Sequence, residues 1–152
     1  MIAVGEELPP LELDVTPTFV VSTALATRDF QDVHHDRDLA VARGSKDIFL
    51  NILTDTGLVQ RFVTDWAGPT ALVRQIAIKL GVPCYAYEKL TFTGRVTARE
   101  NREYVIEVTA RNSLGDHLTG TVRIEVPGSG ACGATHEHHA ESRRHRACEG
   151  TS

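Results

Sequence analysis

The chain has 152 residues, 41% of them hydrophobic, which is the size of one domain and enough to bury a core without disulfide or metal staples. Lys and Arg number 16 against 20 Asp and Glu, a net charge of −4 without a concentrated basic face, so nucleic acid is not the expected partner. No apolar run is long enough to span a bilayer, and the start Met-Ile-Ala-Val-Gly-Glu-Glu lacks the basic residues of a secretory leader, so no membrane partner and a cytoplasmic location are expected.

Residues 1–18, with Pro9, Pro10 and Pro17, predict an irregular arm. Phe19–Leu25 is rich in strand-forming residues and is bounded by Pro17 and by Arg28-Asp29, so it predicts a strand. A polar cluster follows over 26–35. Asp36–Arg43 predicts a short helix, capped by Asp36 and ended by Gly44.

From Asp47 to about Asp65 the apolar residues Ile48, Phe49, Ile52, Leu53, Val59, Phe62, Val63 and Trp66 recur at a helical period. Ser45 or Asp47 is the expected N-cap and Gly68-Pro69 the stop. Gly57 leaves one stretch of this helix narrow, open to close approach by a sheet or a ligand. Beyond it the period changes to 2. Leu72–Leu80, Leu90–Val96, Tyr104–Ala110 and Leu118–Val126 each alternate between a core face and a mostly polar face, with turns at Glu100-Asn101-Arg102 and Leu114-Gly115-Asp116. One long helix and an antiparallel meander give an α+β layout, a single hot-dog fold in which the sheet wraps the central helix.

The three cysteines fit no zinc or disulfide pattern, and Cys84, in Val82-Pro83-Cys84-Tyr85, reads as a small core or interface residue. Residues 128–152 contain no Val, Ile, Leu, Met or aromatic residue and predict a disordered tail after a domain spanning 1–127. The tail holds His136, His138, His139 and His145, without a paired-ligand spacing, so no metal site is expected. His117, at a strand start after a turn, is expected to be exposed, and His35 to be structural or at an interface.

The segment Asp29-Phe30-Gln31-Asp32-Val33-His34-His35-Asp36 resembles the signature of the MaoC-like, or (R)-specific, enoyl-CoA hydratases, D-x-N-P-x-H-x-D, with Asp29, His34 and Asp36 in register. Gln31 and Asp32 stand where that family usually has Asn-Pro, and Leu50-Asn51 where a His-Gly pair is usual. The runs Ser22–Asp38, Gly44–Phe49 and Thr64–Pro69 extend the resemblance to the small MaoC-like subunits of actinobacterial steroid side-chain hydratases, over nearly all of the chain up to Pro127. The resemblance implies a larger partner subunit with its own MaoC-like domain and a DUF35-type domain, joined in a heterotetramer. It also implies an aldolase that acts on the product, and no cofactor beyond the coenzyme A carried by the thioester substrate.

Hydrating an enoyl thioester requires a water activated for attack at Cβ, a proton for Cα and a donor for the thioester oxygen. By the resemblance, Asp29 and His34 converge on that water, and either can be the formal base. A backbone N–H at Asn51 or a neighbour would meet the oxygen at the helix start. Arg28, Arg37, Arg43 and Lys46 flank the motif, as partners for coenzyme A phosphates or as a solvated rim. Two other readings stay open at this point: a hot-dog thioesterase, and a non-catalytic partner of a larger active subunit.

Overall fold

The computed structural model of the protein describes residues 2–127; the expected tail at 128–152 lies outside the described residues. Four strands form where the period-2 alternation predicts them: β2 (Leu72–Leu80), β3 (Lys89–Glu100), β4 (Glu103–Asn112) and β5 (Gly115–Glu125). The expected arm supplies the fifth. β1 (Glu7–Asp14) lies antiparallel to β3, giving one sheet in the order β1-β3-β4-β5-β2. Pro9 and Pro10 fall where the β1–β3 register shifts, between Leu8 and Leu11. Proline has no N–H for the ladder and is tolerated on an edge strand, which is why an arm broken by prolines can still pair.

Phe19–Leu25 is not a strand but part of helix α1 (Pro17–Ala26). The Thr16 side chain accepts the Phe19 N–H at 3.1 Å, and Pro17 occupies the first helical position, where its missing N–H costs nothing. Val20 and Ala24, four residues apart, turn inward. These end signals override the β-branched composition. A 3₁₀ turn (Asp32–His34) leads to α2 (Arg37–Ala42), whose N-cap Asp36 accepts from Leu39 N at 3.0 Å, as the sequence predicts.

The central helix, α3, spans Ile52–Ala67 and ends at Gly68, which is at φ 90°. It begins later than the apolar period suggests, with Asn51 rather than Ser45 or Asp47 as its cap. Residues 48–50 are extended instead. Ala86 N–H donates to Ile48 O (3.0 Å) and Leu50 N–H to Cys84 O (3.0 Å), with a bridge between Phe49 and Tyr85, so β-type pairing takes backbone groups that a longer helix would need.

Leu58, Val59, Phe62 and Val63 of α3 pack on the inner sheet face, built from Leu90, Phe92 and Val96 of β3, Ile106, Val108 and Ala110 of β4, and Leu118, Val122 and Ile124 of β5. Gly94 in β3 lies under the helix, where a Cβ would come within 2.9 Å of the Phe62 ring. The sheet covers one face of α3, not its whole girth. Ile52, Leu53 and Gly57 are exposed, and a Cβ at Gly57 would meet nothing within 4 Å, so the close approach expected at Gly57 is not made by this chain's own sheet. Among the described residues no helix is long and apolar enough to cross a membrane.

Candidate active site

Three chain segments meet at the start of α3. The first is the end of α1. Thr27 caps it, its hydroxyl donating to Thr23 O at 2.8 Å. Arg28 then turns left-handed at φ 59°; its N–H donates to Leu25 O (3.1 Å), and the Asp29 N–H donates to Ala24 O (2.9 Å). This double closure is a Schellman motif with arginine in the position glycine usually fills. It makes Asp29 a fixed point of the helix end rather than a free loop residue.

The second segment is the 3₁₀ turn that carries His34. The ring is buried, packs edge-on against Phe49 with centroids 5.0 Å apart, and bonds through Nδ1 to Phe49 O at 2.8 Å. A carbonyl oxygen only accepts, so Nδ1 carries a proton, and in the neutral ring Nε2 presents a lone pair. That Nε2 lies 3.5 Å from Asp29 Oδ2. The separation is longer than a good direct hydrogen bond, and it lets one group set to the side of the pair donate a hydrogen to each atom.

Asn51 supplies the third segment. Its side-chain amide donates to Asp29 Oδ2 (3.0 Å) and Thr27 Oγ1 (2.8 Å), while its Oδ1 accepts from Thr54 N (2.9 Å). One side chain thus caps the central helix and grips the carboxylate. Sequence reading assigned Asn51 a backbone role and missed this one. The backbone N–H of Asn51 has no protein acceptor among the described residues, and the N–H groups of Ile52 and Leu53 belong to a first turn that cannot satisfy them internally. The helix start therefore offers donors next to the Asp29–His34 gap.

Of the flanking cations, Arg37 is held by Asp47 (2.8 Å) and Arg43 by Asp32. Arg28 and Lys46 are exposed and have no carboxylate partner among the described residues; Lys46 Nζ sits 5.7 Å above the Tyr85 ring. His35 is exposed and takes no part in the gap. Cys84 is buried, as expected, and burial pushes its thiol up to about 12, which leaves it un-ionised and unsuited to nucleophilic attack.

His117 departs from expectation. It is buried, not exposed: Nδ1 bonds to Val82 O at 2.7 Å and Nε2 to Asp55 Oδ1 at 3.0 Å. Ala110 pairs with Leu118 but Arg111 with Asp116, and this irregularity turns His117 and Leu118 inward together. The missed signal lies in α3, where Asp55 falls on the buried stripe with Thr54, Leu58 and Val59; an acidic residue there calls for a buried partner.

Open clefts of about 440 Å³ (beside Glu7, Arg95 and Glu107) and about 530 Å³ (beside Glu100 and Arg123) are lined by other residues than Asp29 and His34. The candidate site is a partly exposed wall, with the Asp29 side chain 21% accessible, its neighbour Phe30 exposed, and Ile52 and Leu53, which follow Asn51, exposed as well.

A five-stranded antiparallel sheet on a central helix is a hot-dog fold, and the aspartate and histidine that face each other at the helix start are the two that the resemblance to MaoC-like hydratases implies. The chain is 64% identical over 126 residues to the 3-oxo-4,17-pregnadiene-20-carboxyl-CoA hydratase beta subunit of Mycobacterium tuberculosis, covering 83% of this chain and 98% of that protein. It belongs to the family of that hydratase beta subunit. A chain in the crystal structure of the ChsH1–ChsH2 complex from M. tuberculosis is likewise 64% identical, with a TM-score of 0.82, over 84% of this chain and 100% of that one. The (R)-hydratase of A. caviae involved in PHA biosynthesis shares the fold at 18% identity, with a TM-score of 0.76, over 83% of this chain and 98% of its own. No family model matches the chain.

Proposed function

We propose that the chain is the small catalytic subunit of a heteromeric enoyl-CoA hydratase that adds water to the α,β-double bond of a steroid side-chain coenzyme A thioester. The observation that carries the reading is the 3.5 Å gap between His34 Nε2 and Asp29 Oδ2, in a chain 64% identical to a hydratase beta subunit. A water seated there donates one hydrogen to each atom and turns a lone pair outward. As its oxygen bonds to Cβ, the π electrons move toward the thioester carbonyl, and one of the two groups takes a water proton. Cα then receives a proton from the pair, so the sum is one water added with no redox change. N–H donors at Asn51 and its neighbours stabilise the charge that develops on the thioester oxygen.

Of the four cations flanking the motif, Arg37 and Arg43 are paired, whereas Arg28 and Lys46 have no carboxylate partner among the described residues and can meet coenzyme A phosphates. Leu53 and Gly57, one turn apart on the uncovered face of α3, leave room for an acyl chain. A second subunit has to roof this wall. The larger hydratase subunit of such a complex suits the exposed Phe30, Ile52 and Leu53, which water alone would cover poorly. The chemistry needs no metal or cofactor, and consumption of the product by an aldolase accords with the tertiary or secondary alcohol that hydration leaves.

The test is co-expression with a larger hydratase subunit of the same kind, followed by mass spectrometry for water addition to a steroid enoyl-CoA. Turnover of short crotonyl-type thioesters but not of the steroid thioester sinks the steroid assignment and keeps the hydratase. Release of free thiol without water addition sinks both.

A further inference from the structure

We propose that Asp55 and His117 are a positioning pair, which fixes the first turn of α3 and through it the Asn51 donor and the Asp29 carboxylate. The inference deepens the hydratase reading and rests on it.

The geometry forms a closed ring of contacts. The Asp55 N–H donates to Asn51 O (3.1 Å), and the Asp55 carboxylate bonds to His117 Nε2 (3.0 Å). His117 Nδ1 donates to Val82 O (2.7 Å), and the same loop presents Cys84 O, which accepts the Leu50 N–H (3.0 Å) next to Asn51. Val82 N–H and Gly81 N–H return to Asp116 O (3.1 Å) and His117 O (2.7 Å), which ties the loop to β5. A shift of His117 therefore moves both the helix turn and the loop that hold Asn51.

Stability gives a poor account of this pair. Asp55 is fully buried, and its Oδ2 and the neighbouring Thr54 Oγ1 have no hydrogen-bond partner. A half-satisfied ion pair of this kind is often no better than apolar side chains of similar volume. What apolar side chains could not supply is direction: two bonds from one ring, to a helix and to a loop, at fixed angles. Asp55 is the ionisable group that acts on His117, and the nearby Cys84 thiol stays neutral.

The experiment uses the complex with the larger subunit and a steroid enoyl-CoA. Asp55→Val combined with His117→Leu is expected to assemble with a Tm close to wild type. Its kcat should fall roughly ten- to a hundredfold, as small misplacements do, with KM within about twofold. Amides 50–54 should exchange hydrogen faster. Asp55→Asn, whose amide can donate to a neutral His117 Nε2, should restore most of the kcat. Wild-type kcat and exchange in the double variant overturn the proposal, as does an Asp55→Asn loss equal to that of the double variant. If the double variant does not assemble, His117→Gln decides: it can still meet Asp55 but gives up the bond to Val82. Faster exchange with lower kcat supports the pair, and no change in either overturns it. A wild-type complex that hydrates no enoyl-CoA sinks the hydratase reading instead, and leaves the exchange arm to judge the geometry.

Discussion

His34 Nε2 and Asp29 Oδ2 stand 3.5 Å apart because each is held from behind, the imidazole by Phe49 O at 2.8 Å and the carboxylate by the Asn51 amide at 3.0 Å. Neither can swing across to close the gap without giving up a bond worth about 0.5–1.5 kcal/mol. Asp29→Asn keeps the shape but replaces an acceptor with a donor or a weaker acceptor, and it should lower kcat about 10²–10⁴-fold. His34→Gln should do the same. Steady-state kinetics on the reconstituted complex, with circular dichroism as a fold control, reads the effect. Near wild-type kcat in either variant would make this chain the non-catalytic partner.

Asn51 serves the helix and the carboxylate at once, and two substitutions separate these tasks. Asn51→Ala removes the cap and should cost about 1 kcal/mol of stability along with activity. Asn51→Ser keeps a capping oxygen for the Thr54 N–H but has no amide for Asp29. It should recover most of the Tm and little of the kcat. Equal recovery of both would mean that the bond to Asp29 is idle.

The sheet was legible because its strands alternate cleanly: Leu90, Phe92 and Val96 face in and their neighbours face out, and the same holds for β4. Two elements were misread where local chemistry overrode composition. Phe19–Leu25 looks like a strand until Thr16-Pro17 is read as a helix start, and Glu7–Asp14 looks irregular until its prolines are placed on a sheet edge. Asp29 and His34 were visible through the resemblance of their segment to the hydratase signature, and the structure places them 3.5 Å apart. The Asn51 side chain and the Asp55–His117 pair were not, since both depend on contacts 22 and 62 residues apart in the chain. No periodicity reports such contacts, although a carboxylate on a buried helical stripe is a local hint that one exists.

Arg28 sits at φ 59°, in the left-handed region that ordinary side chains enter at a cost of roughly 1–2 kcal/mol. Glycine fits that position of a Schellman motif without the cost. Arg28→Gly should therefore raise the Tm or leave it unchanged. If the exposed guanidinium meets a coenzyme A phosphate, the same variant raises KM for the thioester while kcat stays near wild type. A lower Tm would show that the arginine side chain contributes packing that outweighs the backbone strain. An unchanged KM would remove Arg28 from the thioester site.

His117 makes stability depend on pH, and the sign follows from its surroundings. Burial pulls its pKa down, but the hydrogen bond and charge of Asp55 and the bond to Val82 O outweigh this, and the net shift is upward from 6.5. A group whose folded pKa is raised lends stability that is complete below its unfolded value and is lost as pH rises through the folded one. Once the proton leaves, Nε2 and the Asp55 carboxylate are both acceptors facing each other at 3.0 Å, and Asp55 Oδ2 is already without a partner. The Tm of the complex should accordingly fall as pH is raised above the ordinary histidine value of 6.5, beyond what exposed lysines and tyrosines contribute. Asp55→Asn, which has no carboxylate to hold that proton, should flatten the decline over the same interval. Parallel curves for the two proteins would show that the pair does not titrate in this range.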